Sequence, residues 1–220
     1  MATIDATARV ADTARLGDGV EIGPHCLVGP EVELKDGVRL IAHVTVTGAT
    51  TIGEATLVYP FASLGTPPQS VHYRGEPNKL IIGARCELRE LVTMNIGTTA
   101  GGGITRVGDR CRLMTGAHVG HDCDVGHDVT LAENVALGGH ASVGSETFFG
   151  SNSAVHLCDE TSVRLSLTKG LSNSLGIRSS RKKSNCARNP VLFPASRFSG
   201  TITSAARRLG DGRCTRSIAT

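Results

Sequence analysis

The chain has 220 residues, enough for one large domain or two small ones, yet only 3% are aromatic, none is Trp and 27 are Gly. That composition excludes a wide ring-filled core and a nucleic-acid stacking surface, both of which use more aromatic side chains. The net charge of +3 hides an uneven distribution, with 11 Lys and Arg against 17 Asp and Glu in residues 1–158 and 12 against 3 in residues 159–220.

The opening Met-Ala-Thr-Ile-Asp has neither a basic nor an apolar segment, and no run reaches membrane-spanning length. This predicts a cytoplasmic protein with no membrane partner. Seven cysteines are scattered without a C-x-x-C pair, which predicts reduced thiols and neither a zinc ribbon nor a disulfide framework.

Counting in sixes from Ile4 meets an aliphatic residue at every stop: Val10, Leu16, Ile22, Val28, Leu34, Leu40, Val46, Ile52, Val58 and Leu64. Four positions after each stop stands a compact residue, among them Ala8, Val20, Cys26, Val32, Val44, Thr50 and Ala62. Neither the helical period nor the simple strand period fits. A fixed six-residue unit predicts an all-β solenoid, in which each unit is one short strand and stacking buries a continuous core.

The period breaks over residues 66–80, where three prolines and Ser70 and Glu76 at would-be core stops predict a loop thrown out from the solenoid. It returns at Ile82, Leu88 and Met94 and breaks again over residues 96–106 around Gly101-Gly102-Gly103. From Val107 it runs unbroken to Val155. Within that run, residues 113–123 spend three outward positions on His118, His121 and Asp122, which a repeat that only had to fold does not need. Cys123 occupies a compact inward slot in line with Cys26, Cys86 and Cys111, so it reads as core filling and not as a nucleophile. His25 and His43 repeat 18 apart away from this segment and read as facing solvent or a neighbouring subunit, while His127 lies outward on the next face and reads as surface.

Asp159 would fall in a buried slot, and an unpaired carboxylate in a dry interior costs several kcal/mol. The solenoid is therefore expected to end near Cys158, leaving residues 159–220 as a basic Ser/Arg-rich, unpacked tail. Its abrupt change of character has the look of a changed reading frame or a replaced terminus; the alternative is a functional tail that binds an acidic carrier protein or nucleic acid.

Unbroken hexads of this kind resemble the left-handed parallel β-helix acyltransferases, a family of homotrimers with three hexads per coil. Within it, residues 3–157 are similar to the UDP-N-acetylglucosamine O-acyltransferases of lipid A biosynthesis. The resemblance is carried by Tyr59-Pro60-Phe61-Ala62-Ser63-Leu64-Gly65, Tyr73-Arg74-Gly75-Glu76-Pro77, Gly101-Gly102-Gly103-Ile104-Thr105, Ala117-His118-Val119-Gly120-His121-Asp122-Cys123, Leu137-Gly138-Gly139-His140 and Ala154-Val155-His156. Three hexads per coil stack residues 18 apart at roughly 4.8 Å, so that Gly139 falls over His121, His140 over Asp122 and His156 over Gly138.

The resemblance implies a cytoplasmic homotrimer that uses no metal or cofactor. It implies transfer of a 3-hydroxyacyl group from acyl carrier protein to the 3-hydroxyl of UDP-N-acetylglucosamine. His121 matches the catalytic base, for which an imidazole pKa near ~6.5 is suited, with Asp122 holding its tautomer and Gly139 offering a backbone oxyanion donor. His118, His140 and His156 match positions that contact the nucleotide sugar or shape its pocket. Ser70 and His72 stand where the family's sugar-contacting loop usually has Asp and Lys, and Asn95 is a further candidate contact to the acceptor. The family's Gln and Phe after the last histidine are replaced by Leu157 and Cys158, and its further hexads and helical C-terminal region do not appear. Two alternatives stay open: a zinc carbonic anhydrase of the gamma type on the same solenoid, and a catalytically inactive trimeric scaffold.

Overall fold

The computed structural model describes residues 1–155 and, by backbone alone, four further strands at Val163–Ser166, Ser174–Ser179, Thr203–Arg208 and Cys214–Ala219. Residues 1–155 form a left-handed parallel β-helix of three sheets, with each successive strand passing to the next sheet in rotation. Thr3 pairs with Glu21 and Arg9 with Leu27, so one coil takes 18 residues. The six-residue unit read from the sequence is one strand and one corner.

Each strand contributes one side chain inward and one outward. The aliphatic stops are buried from Ile22 to Phe149, with Leu34, Leu64, Leu88, Leu113 and Leu137 at 1% exposure or less. The compact slots four residues later are buried with them, including Val20, Cys26, Ala62 and Ala117. Threonine is tolerated in these slots because its hydroxyl finds a carbonyl: Thr56 Oγ1 donates to Gly83 O at 2.9 Å and Thr147 Oγ1 to Gly144 O at 2.7 Å. The first coil has no coil beneath it, which leaves Ile4 45% exposed although it obeys the pattern.

Both breaks in the period fall at the same corner, the one joining the second sheet to the third. Strand Ser63–Thr66 leads into a loop that ends at strand Lys79–Ile82, and the coil lengthens so that Ser63 pairs with Thr93, 30 residues on. Strand Thr93–Asn95 leads into a second loop, with a 3-10 turn at Thr99–Gly101, before strand Ile104–Val107; here Thr93 pairs with His118, 25 residues on. Extra residues are accommodated because they leave and re-enter the solenoid at the corner; where the first loop leaves, the pairing slips by one residue, so that Leu64 meets Met94 but Thr66 meets Asn95. On the next two coils the same corner consists of residues 120–123 and 138–140.

The outward faces differ in charge. The first sheet carries cross-coil ion pairs, Glu21 with Arg39 and Glu87 with Arg112, both at 2.7 Å. On the third sheet Arg15 meets Glu33 at 3.4 Å, and Arg106 is the register partner of Asp124. The second sheet instead presents Leu27, Thr45, Ser63, Thr93, His118 and Ala136 along its outer face, with Arg9 at its first strand. Beyond Arg9, this uncharged face adjoins the corner that holds both loops.

Strand Ala141–Val143 pairs in parallel with Val163–Ser166, one strand further on. An open sheet edge offers backbone N–H and C=O groups whatever its side chains, so it is readily extended. From Val163–Ser166 onward the pairing is antiparallel, an arrangement absent from the solenoid of residues 1–155. The expectation of an unpacked tail otherwise concerns positions outside the described residues. Among the described residues no helix is long and apolar enough to cross a membrane.

Candidate active site at the corner of the second and third sheets

His121 and Asp122 follow strand His118–Val119 at the corner, and Gly139 and His140 follow strand Ala136–Leu137 one coil later. Asp122 (φ 59) and His140 (φ 63) have left-handed backbone, a conformation in which Asp, Asn and His are enriched several-fold. The turn therefore accepts these residue types at little cost and points their side chains outward along one edge. His140 N–H donates to His121 O at 2.8 Å, which locks the two coils in register at this point.

Asp122 is the centre of the cluster. Its side chain is only 1% exposed and both of its oxygens are engaged. Oδ2 meets His121 Nδ1 at 2.8 Å and accepts from Thr98 Oγ1 at 2.6 Å, while Oδ1 accepts from Thr98 N–H at 2.7 Å. Its own N–H donates to Thr105 Oγ1 at 2.8 Å. His140 Nε2 stands 3.7 Å from the same Oδ2, and the two imidazoles meet edge to face at 5.1 Å. With the carboxylate ionised, the short contact puts the His121 proton on Nδ1 and leaves Nε2 bare. That bare nitrogen lies against Gly139, where an added Cβ would sit 2.6 Å from Nε2. Among the described residues no acceptor meets the Gly139 N–H.

His121, Asp122 and His140 could bring three donor atoms to within 4.8 Å of one another, close enough to hold a cation. The hydrogen bonds speak for a different use, because a metal would have to displace the Nδ1 and Thr98 contacts that already occupy Asp122. An imidazole with one nitrogen held by a buried carboxylate and the other without a hydrogen-bond partner among the described residues is a general-base arrangement.

The remaining candidates spread outward from this cluster. His118 lies half-buried on the neutral face, with Nδ1 2.8 Å from Thr93 Oγ1. Burial, and then the neighbouring His121, holds its pKa below the ordinary value. Since the unfolded chain regains a pKa near ~6.5, it binds the extra proton first. The stability that neutral His118 contributes is therefore present above about pH 6.5 and is lost as pH falls from there through the lower folded-state value. His118→Gln is expected to flatten the acid-side decline in urea midpoint; a decline as steep as in the parent protein would contradict this.

Asn95 is buried, and its Nδ2 donates to Thr66 Oγ1 and to Pro67 O, both at 3.0 Å, so it fastens the first loop. Its Oδ1 is buried without a partner among the described residues. Ser70 and His72 lie in that loop, where Ser70 Oγ accepts the His72 N–H at 3.3 Å. Neither is joined to the His121 cluster by a hydrogen bond or ion pair among the described residues. His156 lies outside the described residues. Cys123 is buried at 1% exposure with its thiol pushed up to about 12 by burial, as suits core filling. His25 and His43 stack at 4.8 Å along the opposite edge of the second sheet, and His127 is exposed.

Sequence reasoning missed Thr98, Thr93 and Thr105. The extra residues of the second loop break the 18-residue arithmetic, so no spacing connects Thr98 with Asp122. The one signal available is a Thr directly before a Gly-rich turn, a place where such a side chain caps.

No family model matches the chain. Over 123 residues it is 63% identical to the acyl-[acyl-carrier-protein]–UDP-N-acetylglucosamine O-acyltransferase of Azorhizobium caulinodans, a stretch covering 56% of this chain and 45% of that protein. A solved UDP-N-acetylglucosamine acyltransferase superposes with a TM-score of 0.69 at 42% identity, covering 70% of this chain and 60% of the other. The LpxA structure from Acinetobacter baumannii gives 0.70 at 32% identity, covering 76% and 71%. The chain spans less than half the length of the curated relatives it matches.

Proposed function

Because the chain belongs to the UDP-N-acetylglucosamine O-acyltransferase family, we propose that it transfers a 3-hydroxyacyl group from acyl carrier protein to the 3-hydroxyl of UDP-N-acetylglucosamine, the first step of lipid A biosynthesis, as a cytoplasmic homotrimer. The observation that carries the reading is the His121–Asp122 pair, with Nδ1 held at 2.8 Å and the far side of the ring against Gly139.

His121 Nε2 takes the proton of the sugar hydroxyl as its oxygen attacks the thioester carbonyl. The new C–O bond forms while the carbonyl oxygen becomes an oxyanion, for which the Gly139 N–H is the donor; one such donor is typically worth ~10²–10³ in rate. Collapse breaks the C–S bond, and the carrier thiolate takes the proton back from the His121 imidazolium. Asp122 stabilises that imidazolium at no cost in reorganisation, since it already accepts from Nδ1.

Charge and surface support the assembly. No Arg or Lys occurs between Leu113 and Leu157, so the diphosphate needs cations from outside that segment. Exposed Lys79 and Arg106, on adjacent strands of the third sheet, and Arg74 in the first loop supply them from the same corner. The outer face of the second sheet, which carries His118 and adjoins the His121 corner, is the surface best suited to a second copy, since beyond Arg9 at its first strand it carries no charged residue. The acyltransferases that the chain resembles favour this reading over a carbonic anhydrase.

The test offers purified protein a 3-hydroxyacyl carrier protein and UDP-N-acetylglucosamine, with sedimentation at assay concentration. Acyl-UDP-N-acetylglucosamine formed by a trimer is the expected result. A protein inert over the range of acyl lengths is the inactive scaffold, and an active monomer overturns the assembly.

A further inference from the structure

The geometry points to Thr98 as a positioning residue that selects which histidine receives the Asp122 carboxylate and so fixes the tautomer of His121; this rests on the reading of His121 as the general base. Asp122 Oδ2 has two imidazoles within reach, His121 Nδ1 at 2.8 Å and His140 Nε2 at 3.7 Å. A rotation of the carboxylate by less than an ångström at its oxygens would even out the two distances. Nothing in the Asp122 backbone prevents that rotation, because its φ of 59 sets the direction of Cβ but not the twist of the carboxylate.

Thr98 does prevent it. Its N–H reaches Oδ1 at 2.7 Å and its hydroxyl reaches Oδ2 at 2.6 Å. Two donors from one residue to two oxygens of one carboxylate define the carboxylate plane, much as a bidentate partner does.

The threonine is itself held. Its Oγ1 accepts from Gly101 N–H at 3.2 Å, which leaves the hydroxyl hydrogen free only in the direction of Asp122. Its carbonyl accepts from Gly101 N–H at 3.0 Å and Gly103 N–H at 2.7 Å. Gly101 lies so close to Asp122 that an added Cβ would collide with the carboxylate, so the second loop rests on the acid as a lid. With the Asp122 side chain 1% exposed, water does not compete for these directions. The groups facing His121 are Asp122, His140 and His118, and Asp122 alone among them is an acceptor that Thr98 orients.

The test compares Thr98→Val, which keeps the N–H and the shape but removes the hydroxyl, with Thr98→Ser, which restores the hydroxyl. Histidine side-chain ¹⁵N NMR reads the tautomer directly, with the His121 signals identified by their absence in His121→Ala. The expected result is an Nδ1–H tautomer in the parent and in Thr98→Ser, and a shift towards Nε2–H in Thr98→Val. In the transfer assay kcat of Thr98→Val falls about 10- to 100-fold, the range for losing a hydrogen bond to a charged group, while KM for the nucleotide sugar is unchanged. Thr98→Ser is expected to keep the parent kcat.

A parent-like tautomer in Thr98→Val overturns the inference, and so do Val and Ser variants that are equally slow, since that would make Thr98 a matter of loop shape. The NMR readout needs no turnover. If the tautomer shifts as expected in a protein that transfers no acyl group, the positioning holds and the acyltransferase reading is what fails.

Discussion

His121→Ala lowers the rate of acyl transfer by at least ~10²-fold and leaves the β-helix folded. General-base assistance is typically worth ~10²–10⁴, and no other imidazole replaces it: His140 Nε2 faces Asp122 at 3.7 Å and His118 Nδ1 is engaged with Thr93 Oγ1 at 2.8 Å. The fold survives because His121 is a corner residue outside the core, and Asp122 retains both contacts from Thr98 after the ring is gone. The measurement is kcat/KM with acyl carrier protein thioester, alongside a urea midpoint. A variant that turns over at near the parent rate removes His121 from the mechanism.

Gly139→Ala comes close to this in effect, for a reason that leaves every functional group in place. The new Cβ would stand 2.5 Å from His121 Cε1 and 2.6 Å from Nε2, distances that real Cβ contacts do not tolerate. A ring that moves away from the new Cβ pulls on its 2.8 Å contact to Asp122. A displacement near 1 Å at a reacting group costs about 10²-fold, so a loss of that size is expected even though alanine keeps the backbone N–H. If the loss arises through the displaced base, Gly139→Ala adds little in a protein that already lacks His121. The double variant is then as slow as His121→Ala alone, the non-additivity of residues that act as one unit. Fully multiplicative losses would show that Gly139 acts apart from His121.

The residue classes that make both predictions were legible beforehand to different degrees. The aliphatic stops and compact slots were read correctly along the solenoid, because each hexad meets the same local constraint: one inward aliphatic, one inward compact residue, one corner. His121, Asp122, Gly139 and His140 also came together as the 18-residue stacking implied, since no insertion separates the two coils that hold them. Ser70 and His72 did not join them. They sit on a loop whose length is outside the repeat, and nothing local specifies where such a loop lies.

By itself, the sequence determined the period, the interior and the two interruptions, whereas the pair of coils on which the unusual histidines stack followed only from the three hexads per coil that the resemblance implied. The first three follow from short-range rules that repeat every six residues, so a single chain is enough to read them. Tertiary structure alone decided that both interruptions leave at one corner, that the uncharged face adjoins it, and that Thr98 reaches Asp122 across the second loop. The physical reason is that inserted residues cancel the spacing arithmetic while a carboxylate takes whichever donors the folded backbone brings within 3 Å. Which of two neighbouring histidines holds that carboxylate depends on a difference of 0.9 Å between the 2.8 and 3.7 Å contacts, and a pattern of residue types carries no information on that scale.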